Sequence, residues 1–134
     1  VSAVKAIRYL LANNANLIAV VAATKIFSGA IPLNTALPAI VVKHISTTER
    51  LAIKNAGAKF CVSRVQVTVQ AKTYATQKSI LELVRIALAS THATVNGVEV
   101  DSIAPDGAGP DLWDADADIY EQSRDFLVRW IVAS

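Results

Sequence analysis

Asp114, Asp116 and Asp118 in the stretch DADAD occupy alternate positions, the 1, 3, 5 spacing of a calcium loop, and Asp125 falls at position 12. The match then fails. Position 6 is Ile119 where such a loop needs glycine for its sharp turn, and position 12 favours a bidentate glutamate, so the stretch reads as a solvated acidic loop. His44 and His92 have no His or Cys at ligand spacing, and Cys61 opens an apolar strand where a buried, inert thiol is expected. Gly29, Gly57, Gly97, Gly107 and Gly109 form no phosphate-cradling pattern. Neither catalysis nor a cofactor or metal is expected from this set. The remaining candidates are electrostatic: Lys54, Lys59, Arg64 and Lys72 as a basic stripe, and Asp111, Asp114, Asp116 and Asp118 as an acidic one.

The elements that must position these residues follow from periodicity. Val65, Val67 and Val69 alternate with Gln66, Thr68 and Gln70, a strand with one apolar and one wet face. From Thr76 onward Ile80, Leu83, Val84, Ala87 and Leu88 form the stripe of an amphipathic helix over about 74–90, capped by Thr73 or Thr76. Glu82 can pair with Lys78 or Arg85 on its outer side. The helix is expected to fold back onto the valine face. Residues 2–12 suit a first helix with Ser2 as N-cap, followed by a helical turn capped by Asn14 or Asn16 and a short extended KIF at 25–27. Pro32 and Pro38 make 28–38 a surface loop. AIVVKHIS at 39–46, FCVSRVQVTVQA at 60–71, GVEVDSIA at 97–104 and RDFLVRWIVA at 124–133 read as strands, the last with Phe126, Val128 and Trp130 on one face against the helix. Loops at 47–59, with a helical turn at Glu49–Ile53, and at 104–119 are expected to make contacts outside the subunit's own core. The fold class is α+β: a mostly antiparallel sheet of four strands or slightly more, with helices on one face, in a single domain over 1–134.

Composition sets the class of partner. Hydrophobic residues are 53% and charged residues 18%, which leaves apolar surface for self-association. No apolar run approaches the roughly 20 residues of a membrane span, the amino terminus lacks a signal-peptide pattern, and the lone cysteine fits folding in a reducing cytoplasm. The net charge of +2 conceals a bipolar chain. Residues 1–98 hold eleven of the thirteen Lys and Arg against Glu49 and Glu82, a balance of +9; residues 99–134 hold nine Asp and Glu against Arg124 and Arg129, a balance of −7. A small nucleic-acid-binding module is the alternative such charge suggests, although the aromatics, placed mostly in core positions, offer no stacking platform.

From end to end the chain resembles the tail completion, or tail terminator, proteins of long-tailed bacteriophages. AIRYLLANNANLIAVV, KIFSG, LPAIVV, RVQVTVQAKTYATQKSILELVRIAL and the closing VEVDSIAPDGAGPDLWDADADIYEQSRDFLVRW look like that family's successive blocks. Tyr120, Ser123, Asp125, Phe126 and Trp130 carry the likeness in the last of them. The resemblance implies a structural virion protein, not an enzyme, assembled in the host cytoplasm. It implies a ring, typically of six copies, at the head-proximal end of the tail tube, with the tube protein and a head-completion or connector protein as partners. Genome DNA would pass through the lumen without sequence-specific binding. A head-closure ring is the alternative among viral proteins. Lys54, Lys59, Arg64, Asp111, Asp114, Asp116 and Asp118 are the candidate subunit or partner contacts.

Overall fold

A computed structural model describes residues 2–32, 34–51, 58–89 and 91–133. Helix α1, Ser2–Ala12, buries Ala3, Ile7 and Leu11 with Val4 and Ala6, the stripe its spacing dictates. Helix α2, Ala15–Ile18, is a single turn, and the Asn14 side chain accepts from the Leu17 amide at 3.0 Å as its N-cap. Strand β1, Ile26–Ser28, ends where Gly29 takes φ +88°, and the chain crosses the surface to β2, Ala39–Leu51. Strand β3, Ala58–Ala71, runs back along β2. Helix α3, Tyr74–Leu88, is capped by Thr73, whose hydroxyl accepts from the Thr76 amide, and buries Gln77, Ile80, Leu81, Val84 and Leu88. Strands β4, Ala93–Val95, and β5, Val98–Ala108, form a tight hairpin in which Asn96 and Gly97 both hold positive φ, 47° and 84°. Strands β6, Leu112–Asp114, and β7, Ile119–Ala133, complete the sheet.

The order is β1-β2-β3-β7-β5-β4, and β6 pairs with the first residues of β7. Because α1 touches β1 and β2 at one margin and β4 and β5 at the other, the sheet curls around its helices. Ile40, Val42, Val65, Val67, Val69, Phe126 and Val128 face inward and share one core with α1 and α3. Burial of these side chains at roughly 1.5–3 kcal/mol each is the main favourable term holding the layers together. Trp130 is partly buried at the edge of that core, and its Nε1–H donates to the buried Ser63 hydroxyl at 2.9 Å.

The fold is α+β, but the sheet is mixed and, among the described residues, has seven strands, more than the four or so expected from the sequence. The added strands β1, β4 and β6 are three residues each, too short to display a period of two. β1 lies parallel to β2. The expected loops shrink. β2 continues to Leu51, so the chain at 49–51 is strand and not a helical turn, whereas Ala52 and Ile53 lie outside the described residues. β5 reaches Ala108 and β7 starts at Ile119, leaving only 109–111 and 115–118 as connections between 104 and 119. Among the described residues no helix is long and apolar enough to cross a membrane.

Candidate assembly surfaces

The outer face of β3 and β7 carries a ladder of polar pairs. Gln66 stands opposite Asp125, Thr68 opposite Ser123 and Gln70 opposite Glu121. Gln70 Nε2 donates to Glu121 at 2.7 Å, the Thr68 and Ser123 hydroxyls share a hydrogen bond of 2.7 Å, and Gln66 Nε2 reaches Asp125 at 3.4 Å. Such cross-strand pairs contribute roughly 0.2–1 kcal/mol each and fix the register of the two central strands. Residues 30–32 and 34–37 pass over this face and leave a groove of about 570 Å3, floored by the ladder, walled by Leu112 and Ile119 and lined also by Lys43.

Arg64 extends the ladder. It pairs with Asp106 of β5 and, at 3.2 Å, with Asp125 of β7. The hydrogen bond to Asp106, and after it the field of both carboxylates, raises the guanidinium pKa further above its ordinary value. Lys72 Nζ donates to the Ala117 carbonyl at 3.3 Å. Two members of the expected basic stripe are thus engaged within the subunit; Lys59 lies in β3 opposite Leu51, and Lys54 lies outside the described residues.

The acidic residues separate by role. Asp111 receives the Lys78 ammonium at 2.5 Å and the Tyr74 hydroxyl at 3.0 Å, which lowers its pKa and raises that of Lys78. Asp114 ties the turn between β6 and β7 by accepting from the amides of Asp116 and Ala117. Asp116 and Asp118 are exposed, with no ion pair among the described residues, and Asp118 holds φ 55°. No metal-ligand cluster is formed by this group among the described residues. Arg64 and the four aspartates therefore do not converge on one point.

An aromatic cluster backs the acidic turn, and the sequence reading missed it. Trp113 stacks on Tyr120 with centroids 6.0 Å apart, Tyr74 meets Tyr120 edge-on at 6.1 Å, and Lys78 lies over the Tyr74 ring at 5.0 Å. Trp113 is 60% exposed, and Leu112 beside it 51%. The aromatics flanking the acidic run in LWDADADIY are the available signal, hidden when the aromatics are placed in the core.

The family model for tail completion protein gp17 matches residues 5–131. The chain belongs to the tail completion protein gp17 family. It is accordingly a structural tail protein of a bacteriophage virion, and its family is not an enzyme class. A solved chain from the "Virion of native gene transfer agent (GTA) particle" shares the fold, with a TM-score of 0.71 at 19% identity over 96% of this chain and 94% of that one. Curated protein sequences give no match.

Proposed function

We propose that this protein forms a closed homo-hexameric ring at the head-proximal end of the tail tube, ends tube polymerisation there and joins tail to head. The observation that supports this reading most is the placing of exposed apolar side chains on different elements: Tyr9, Ile18 and Val20 around α1 and α2, and Tyr74, Leu112 and Trp113 around the acidic hairpin. A head-to-tail contact uses two unlike surfaces, and when its rotation closes it makes a ring. The tube protein and a head-completion or connector protein are the partners above and below that ring. Genome DNA passes through its lumen without base-specific contacts. Arg64, shared between two carboxylates, is poorly placed to serve a phosphate backbone.

The test is complementation. Cells producing a phage that lacks this gene should accumulate overlong, headless tubes by electron microscopy, and supplying the chain should restore tubes of fixed length joined to heads. Tubes of normal length without the chain would refute termination, and normal-length tubes that fail only to attach would move its role to head closure.

A further inference from the structure

A cleft of about 670 Å3 opens between α1 and the margin of β2, lined by Lys5, Arg8, Tyr9, Ala12, Lys43 and His44 among others. No carboxylate lines it, and none of Lys5, Arg8 and Lys43 makes an ion pair among the described residues. Arg8 Nε donates to the Ile26 carbonyl at 2.9 Å, which holds the guanidinium against β1 at the cleft wall. Tyr9, 44% exposed, supplies an apolar flank together with Ala12 and Val42. The cleft is cationic with an apolar lining.

The acidic hairpin is its chemical opposite. Trp113 and Leu112 present apolar surface, and Asp114, Asp116 and Asp118 surround the tip with charge. Within one subunit Lys43 of the cleft also lines the groove that Leu112 walls, but the hairpin tip does not enter the cleft. The tip is held by Lys72, and β3 lies between the β2 margin that forms the cleft and the β7 end that carries the hairpin. We infer that the hairpin tip of one copy, Trp113–Asp118, seats in the α1–β2 cleft of the next. This rests on the ring reading and deepens it by assigning the two unlike surfaces of the head-to-tail contact. Three cations facing three carboxylates would set its register, and the indole against Tyr9 would supply apolar burial.

Two variants test it, one inverting the charge of the cleft and one neutralising that of the hairpin. Lys5→Glu with Lys43→Glu leaves the Arg8 bond to Ile26 in place. Asp116→Lys with Asp118→Asn spares the Asp114 turn and keeps at 118 a residue tolerant of positive φ. Native mass spectrometry, on the chain alone and on tails, should find that each variant raises the concentration for half-assembly at least about tenfold. Putting both pairs in one chain should recover part of the loss. In addition, Lys43→Cys and Asp116→Cys copies, mixed on tails, should form a disulfide-linked dimer that neither gives alone, the native Cys61 being buried. Rings of normal mass in both variants, or no cross-link in rings of normal mass, would overturn the contact and leave the ring standing. A wild-type chain that stays monomeric on tubes would overturn the ring reading, and this contact with it.

Discussion

Trp130 joins two layers by one side chain. Its ring packs on the edge of the core while its Nε1–H satisfies Ser63, which is fully buried and also shares a 2.8 Å hydrogen bond with Thr47. Trp130→Ala should cost about 3 kcal/mol, from lost packing and a weakened polar site, and Trp130→Phe about 1 kcal/mol. Chemical denaturation reads both, and a loss below about 1 kcal/mol for the alanine would place this face outside the core. The pair Lys78–Asp111 gives a pH signature. Lys78 and Tyr74 lower the Asp111 pKa, so its contribution is complete above the ordinary value of 3.8 and is lost as pH falls through the lower folded value. Lys78 is raised, so its share is complete below 10.5 and is lost as pH rises through the higher folded value. The melting difference between wild type and Asp111→Asn should be flat between roughly pH 5 and 9 and shrink on both sides. A difference unchanged at pH 2 would show that the carboxylate is not what the variant removed. Local pairs such as Glu82–Arg85 were legible because helix spacing brings them together. Arg64–Asp125 was not, because a sheet register joins residues 61 apart.

Among the elements, those with a sustained period were legible. Val65–Val69 and α3 follow their alternation and stripe, the Thr73 cap included, and the Asn96-Gly97 turn announced its hairpin. β5 was blurred by a register shift between Val100 and Ser102, which returns Ile103 to the buried face of Val98 and Val100. The outer half of β2 was hidden because Ser46, Thr47, Thr48 and Glu49 are all exposed, and only pairing with β3 makes them a strand. The same effect reverses an expectation about 104–119. Asp106 pairs with Arg64, the Gly109 amide donates to the Ser123 carbonyl at 2.8 Å, and Gln122 Nε2 donates to the Gly109 carbonyl. Deleting Asp106–Pro110 should therefore lower the melting temperature or abolish cooperative unfolding. A variant that melts like wild type would return this segment to the status of a dispensable loop.

At the scale of the molecule, a curled sheet fixes its helices on the inside and leaves outward a polar ladder, a cationic cleft and an acidic aromatic hairpin. The sequence showed both halves of this charge as the imbalance between 1–98 and 99–134. It did not show which members are neutralised within the subunit, because that depends on strand order. A tail completion protein acts by assembly, and the form of assembly proposed for it is a closed ring of six. Native mass spectrometry of the chain released intact from purified tail tubes tests this most directly. Six copies of the 14.2 kDa chain give about 85 kDa, and that species is the expected result. Release as monomers only, after mild cross-linking on the tube, would contradict it.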